Sequence, residues 1–206
     1  MNRTEVIIGK IVRRLKALKV DPFPRTDELI ALINDAQLEV AQRGLAIKSE
    51  IDFLTEAGEG VYDLGVKIFR IRKFIEPTSW KIPLQIFNNE DEWSSFVRSN
   101  SLESVAAQPL GVFVWNNRLK LFPVPTVTGD EVEVLAYLLP SRLIKESVEP
   151  EVDLTWDGCL EYSVLDQILG GEWRIRYDEE LSRLGQQNLR EILSSTHISH
   201  FSDIGF

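Results

Sequence analysis

Cysteine, histidine and methionine are scarce in this chain, and the scarcity excludes a good deal of chemistry. Of 206 residues one is cysteine, Cys159, so no internal disulfide is possible and the composition suits a reducing compartment. The only histidines, His197 and His200, fall three apart near the C-terminus, and there is no Cys-x-x-Cys pair. The sequence also has no glycine-rich phosphate loop and no serine in a nucleophile elbow. No apolar run approaches the ~20 residues of a membrane span. The opening Met1-Asn2-Arg3-Thr4 lacks the apolar stretch of a signal peptide. The expectation is therefore a soluble chain with no membrane partner. Basic charge is outnumbered, 23 residues against 32 acidic, for a net charge of -9. That balance argues against a tight grip on a nucleic-acid backbone, because neutralising phosphates needs a basic face.

What remains is an ordinary globular composition, 44% hydrophobic and 27% charged. A chain of this length buries about 70% of the surface exposed when unfolded, so it can fold without a disulfide or a metal. Along 4–18, Ile7, Ile8, Ile11, Val12, Leu15 and Leu18 recur at helical spacing. Asp21-Pro22-Phe23-Pro24 then breaks the chain. A second helix is predicted from Thr26, its hydroxyl capping the first turn and Asp27 and Glu28 matching the positive end of the dipole. Its apolar face is Leu29, Ile30, Ile33, Ala36 and Val40, and Arg43-Gly44 reads as its stop, with the glycine in the left-handed conformation.

The period then changes to two. Ile47, Ser49, Ile51 and Phe53 alternate with Lys48, Glu50 and Asp52, as in a half-buried strand. Further strands are predicted over 61–64, 66–75, 81–87, 112–115, 119–122 and 131–139, with a short helix over 89–98. Asn116-Asn117 reads as a tight hairpin turn, since asparagine tolerates positive φ, and Pro123 ends the returning strand. Trp156, Leu160, Val164 and Ile168 mark a helix ending or kinking at Gly170-Gly171, and Trp173, Tyr177, Leu181, Leu184 and Ile192 mark another. The fold class is α+β. A helical hairpin packs with C-terminal helices (1–45 and 147–193), a β-rich, sandwich-like insertion occupies 46–146, and an extended tail follows at 194–206.

Candidates for chemistry have bland readings beside them. His197 and His200, with Asp203, could ligate a metal, but a polar tail without rigid support is a poor zinc site. Cys159 on a helix reads as a buried, inert thiol. Glu131 and Glu133 share one face of a strand beside Asp130; they suit a solvated face better than a glycosidase pair. Lys10, Arg13 and Arg14 form either a solvated helix face or an interface helix meeting an acidic partner or phosphate. The tail carries His197, Ile198, His200, Phe201, Ile204 and Phe206. Apolar residues there either fold back on the chain's own core or dock as an arm on another subunit. No metal and no cofactor is expected.

The order of pieces resembles a known family. The helix ending "AQRGLAIKSEIDF", the turn and strand "GEGVYDL", the helix "EDEWSSF", the run "PLGVFVWNNRLKLFPVP", then "VEVLAYLLPSRL" and "WDGCLEYSVLDQILGGEW" follow one another as in head-to-tail adaptor proteins of tailed bacteriophages. The resemblance covers roughly 26–193, and "NNRLKLFPVP" is its most characteristic string. It implies a non-enzymatic structural protein of the virion, located at the head–tail junction and assembled in the host cytoplasm. It also implies a ring of twelve copies, bound to the portal protein above and to a tail (nozzle or tube) protein below, around a channel through which DNA passes without specific binding. The tail 194–206 then corresponds to an arm reaching into the portal. Such a ring would carry on the order of 100 negative charges, which would keep DNA from sticking in its channel. Two other readings stay open: a carbohydrate- or peptide-binding β module with exposed tryptophans, and a tail-associated hydrolase in which Glu131 or Glu133 faces a second carboxylate.

Overall fold

A computed structural model describes residues 2–100, 108–115 and 118–198. Among these the chain order is α1 (Arg3–Ala17), α2 (Thr26–Gly44), β1 (Lys48–Leu54), β2 (Val61–Asp63), β3 (Ile68–Ile75), β4 (Gln85–Phe87), α3 (Glu90–Asn100), β5 (Gly111–Trp115), β6 (Arg118–Phe122), β7 (Glu131–Leu138), α4 (Asp157–Leu169) and α5 (Glu172–Ile198). The fold is α+β. It divides into a helical unit, Met1–Ile47 with Pro140–Phe206, and a β unit, Lys48–Leu139.

In the helical unit α4 is central, and α1, α2 and α5 all pack against it. Helix α1 starts with a capping box: the Asn2 side chain accepts from the Glu5 amide at 3.0 Å, and the Glu5 carboxylate accepts from the Asn2 amide at 2.9 Å. Its periodic Ile7, Ile11 and Leu15 are fully buried against Leu29, Ile33 and Val40 of α2 and Leu160, Val164 and Leu165 of α4. Each such side chain contributes about 1.5–3 kcal/mol by leaving water. The returning strand of chain is pinned to α2 by polar contacts. Asn34 exchanges hydrogen bonds with the Leu143 backbone at 2.9 and 2.7 Å, and Gln37 donates to the Ser141 carbonyl at 2.9 Å.

Two expectations for α2 are corrected. Thr26 does not cap it; Arg25 is the cap residue, and the first turn is closed by the Glu28 carboxylate accepting from the Arg25 amide at 2.8 Å. Nor is Gly44 the left-handed residue. It is the last helical position, and Leu45 takes the left-handed conformation at φ 52°. Glycine is needed at 44 for space, since a Cβ there would lie 2.6 Å from the Trp156 ring. By contrast, Gly170 and Gly171 do serve the backbone: their φ values of 64° and 68° end α4, with the Gly170 amide donating to the Asp166 carbonyl. Helix α5 buries Trp173, Tyr177, Leu181 and Leu184 at spacings of four, four and three. It runs on through Ile198, so the first five residues of the expected extended tail are helical backbone; 199–206 lie outside the described residues.

The β unit holds two sheets, of order β1-β7-β3 and β2-β6-β5-β4. Their inward residues, among them Ile71, Phe74, Val112, Leu119, Leu121, Val132 and Val134, make one shared core. Strands β5 and β6 are antiparallel with Trp115 opposite Arg118; the predicted Asn116-Asn117 turn lies outside the described residues. Strand β4 pairs parallel to β5. Helix α3 lays Trp93 and Phe96 on Phe87, Phe113 and Phe122, with ring centroids 4.7–6.4 Å apart. Gly111 leaves room for this cover, because a Cβ there would meet the Phe96 ring at 2.5 Å.

Candidate functional site

The basic residues of α1 do not form one continuous free face. Arg14 pairs with the buried Glu161 of α4, and its guanidinium lies 5.8 Å from the Tyr162 ring centre and 5.4 Å from that of Trp173. Its contacts lie within the helical unit, although the side chain stays partly exposed. Arg13 is exposed and donates to the Gly9 carbonyl at 3.2 Å, and Lys10 is half-buried. Of the arm residues, His197 and Ile198 are the last two positions of α5, whereas His200, Phe201, Ile204 and Phe206 lie outside the described residues. The proposed third metal ligand, Asp203, also lies outside them. Cys159 is fully buried, and its thiol is pushed up to about 12, first by burial and then by the nearby Glu180 charge, with Arg183 opposing. It is a thiol, not a thiolate, at neutral pH.

The five tryptophans all lie among the described residues. Trp156 and Trp173 are buried in the helical unit. Trp80 donates to Asp130 at 2.8 Å and stacks on Phe74, and Trp93 sits in the α3 aromatic cluster. Only Trp115 is more than a third exposed, at 39%, with the Lys120 ammonium 3.8 Å from its ring centre. The row of open indoles needed by a glycan-binding module is not formed by these residues.

The acidic cluster separates into two roles. Asp130 is structural: it accepts from Ser79 Oγ and Trp80 Nε1, both at 2.8 Å. The buried Thr55 ties the same loop down, donating to the Val127 carbonyl at 3.0 Å and accepting from the Asp130 amide at 3.2 Å. Glu131 and Glu133 instead point away from the core on β7, while Val132 and Val134 point into it. Glu133 stands directly opposite Asp52 of β1, as neighbours on one sheet face.

That outer face is ordered in rows by strand register. The first row is Lys48, Tyr137 and Arg70; the second is Glu50, Leu135 and Lys73; the third is Asp52, Glu133 and Ile75; Leu54 and Glu131 complete the fourth. Lys48, Arg70 and Lys73 therefore lie in the first two rows together with the exposed Glu50, and Asp52, Glu131 and Glu133 lie in the last two. Each end is a shallow depression, of about 390 Å³ by Tyr137 and Arg72 and about 680 Å³ by Glu131 and Glu76. Burial pushes the Tyr137 phenol up, and the cations of Arg72 and Arg70 beside it pull it back. Arg70 and Lys73 were not singled out in the sequence, although "IFRIRKF" shows the signal. Only the register of β3 on β7, including its two bulges, reveals that they share a face with Glu131 and Glu133.

Such a molecule belongs to a recognisable class: an α+β building block whose polar side chains serve packing and surface contact. The particular family follows from comparison. Residues 1–198 match the family model described as SU10 adaptor protein, and the chain belongs to that family. It is a phage adaptor protein, and the family is a structural one of the virion. Residues 199–206 lie beyond the matched stretch. No curated protein matches the chain.

Proposed function

We propose that this adaptor is the subunit of a ring of twelve copies that joins the portal protein to a tail nozzle or tube protein around the DNA channel. The observation that carries this reading is the family match, which spans both compact units and so concerns the whole architecture, not one borrowed module. Its role is mechanical, with no catalytic step. Closed rotational symmetry needs two different surfaces on each subunit, one for each neighbour. The net charge of -9 supports a lumen that repels DNA instead of holding it. His197, Ile198, His200, Phe201, Ile204 and Phe206 form the arm that docks into the portal. Lys10 and Arg13 serve as contacts to an acidic partner surface.

The test is negative-stain microscopy of the full chain mixed with portal assemblies of the same phage, beside a chain ending at Leu193. Full-length protein should add a ring beneath the portal, and the shortened chain should not. If both add a ring, the arm has no docking role. If neither binds, the ring-adaptor reading falls.

A further inference from the structure

Helix α1 is basic along its second half and meets an acidic loop at its start. From Val6 to Val20 the chain has five basic residues and no acidic one. Arg14 is held by Glu161, but among the described residues no ion pair takes up Lys10, Arg13, Lys16 or Lys19. The next carboxylates along the chain are Asp21, in the turn after α1, and Asp27 and Glu28, which Arg25 engages at 2.9 and 3.7 Å. The helix dipole accounts for Lys16 in the last turn, but not for Lys10 and Arg13 before it. Two large apolar side chains stand exposed at the same end, Leu18 at 53% and Phe23 at 39%. At the start of α1 the loop 145–154 is fixed to the helix: the Asn2 side chain donates to the Glu146 carbonyl at 2.7 Å, and Thr4 Oγ to the Val148 carbonyl at 2.6 Å. This loop holds Glu146, Glu149, Glu151 and Asp153 against one cation, Lys145, and ends in Leu154, 66% exposed. Among the described residues no ion pair takes up these four carboxylates, and Arg3 beside them is committed to Asp157. The 15 residues of α1 separate its two ends by about 22 Å at ~1.5 Å per residue. This exceeds the screening length of about 8 Å at physiological ionic strength, so the loop and the basic face do not neutralise each other within one molecule.

We infer that the basic face of α1, Lys10, Arg13, Lys16 and Lys19 with Leu18 and Phe23 at its end, is a contact between copies of the chain, and that its occupant is the acidic loop 145–154 of a second copy. The two surfaces are opposite in charge, and each sets exposed apolar side chains beside its charges. They are different patches at different ends of one helix, so the contact runs head to tail. Every copy gives its loop to one neighbour and its α1 face to the other. A contact of that kind repeats by rotation and can close into a ring, whereas a patch that meets its own like stops at two copies. A phosphodiester is the poorer match for this face, because Leu18 and Phe23 would gain nothing from it. The inference rests on the adaptor reading only for the premise that copies assemble, and it deepens that reading by naming the acidic surface that Lys10 and Arg13 meet.

Sedimentation of the full chain tests it, at low and at high salt, with two double variants: Arg13→Glu with Lys16→Glu, and Glu146→Lys with Glu149→Lys. The wild-type chain should associate beyond the dimer, and salt should weaken that association. Each double variant should associate at least about tenfold more weakly, a change of about 1.4 kcal/mol. An equal mixture of the two should recover association. The acidic loop of the first then meets the native α1 face of the second, and the lysine-bearing loop of the second meets the glutamate-bearing face of the first. Leu18→Ser with Phe23→Ser should also weaken association while keeping its salt dependence. Circular dichroism identifies any variant that fails to fold, and the neutral pairs Arg13→Gln with Lys16→Gln and Glu146→Gln with Glu149→Gln supply milder ones. The inference is overturned if the wild-type chain stays monomeric or stops at a dimer, if folded reversed variants associate as wild type does, or if the mixture does not recover. Retention of duplex DNA by a monomeric chain, lost in Arg13→Glu with Lys16→Glu, would assign the α1 face to phosphate and overturn it as well. Portal binding is a separate readout. Its loss with charge-dependent self-association intact would sink the ring-adaptor reading and leave this contact standing; a ring formed beneath the portal by both reversed variants as by wild type would do the opposite.

Discussion

The helical unit and the β unit use charge in opposite ways. In the helical unit several arginines pair with carboxylates of other elements of the same unit. Arg3 pairs with Asp157 at 2.6 Å and also donates to the carbonyls of Pro150, Val152 and Asp153. Arg43 joins Glu39 at 2.6 Å to Asp178 at 2.9 Å, and Arg174 reaches Asp178 and Asp166 from the other side, both guanidiniums lying over the Tyr177 ring. In the β unit the outer face of one sheet carries Asp52, Glu131 and Glu133 in its last two rows, and Lys48, Arg70 and Lys73 with Glu50 in its first two. Ion pairs that close on themselves stiffen a frame. Charges left facing outward by sign are available to a partner. The difference lies between the arginine network of the helical unit, which closes on the unit's own carboxylates, and the outer face of this sheet, whose charges face solvent.

The comparison can be broken most sharply at Arg3. Its side chain is only 11% exposed and that of Asp157 18%. Arg3→Ala leaves a largely buried carboxylate and three carbonyls without their donor, and should lower unfolding stability by about 3 kcal/mol in urea titration. A loss below about 0.5 kcal/mol would mean that these arginines decorate the frame and do not hold it. Next is packing behind the same network. Gly44→Ala places a methyl against the Trp156 ring and should cost about 2 kcal/mol, with a shift in Trp fluorescence.

These two residues also show what could be read before the fold was known. The helical periods of α1, α2, α4 and α5 were legible, because burial on one side writes itself into spacing of three and four. The strands were legible by their alternation and by proline and glycine at their ends. Gly44 looked like a helix stop, and nothing local distinguishes a glycine needed for φ from one needed for space; Trp156 is 112 residues away. Arg14 looked like a surface cation for the same reason, since Glu161 and Trp173 belong to helices far along the chain. Among the acidic residues, the solvated face of Glu131 and Glu133 followed from strand parity. Their relation to Arg70 and Lys73 did not, because strand order and bulges are properties of pairing across long separations.

A third prediction concerns the buried middle of the helical unit. The Cys159 thiol is raised from an ordinary 9.0 to about 12, and the Tyr177 phenol is likewise raised by burial. A group whose folded value is raised keeps its full contribution below its unfolded value and loses it as pH climbs toward the folded one. Stability should therefore be unaffected by Cys159 below about pH 9. It should then fall, by about 1 kcal/mol at about pH 10 from the thiol alone, and the fall should be shallower in Cys159→Ala. At neutral pH the thiol should react with a disulfide reagent only in denaturant. Rapid labelling of the native chain would show that the core of this unit opens readily.

The smallest effect bears most directly on the contrast. If the carboxylates of the β unit were there to hold the fold, neutralising one should weaken it. Glu133 faces Asp52 across the sheet, and like charges so placed oppose pairing by about 0.2–1 kcal/mol. Glu133→Gln keeps the shape and removes the repulsion, so thermal or urea unfolding should show a gain of about 0.3 kcal/mol. A stability gain would separate the two units by purpose, with charge in the helical unit maintaining the frame and this carboxylate on the sheet kept against the interest of the frame. A stability loss would instead place Glu133 among the residues that hold the β unit together, and the contrast between the units would then fail at its clearest point.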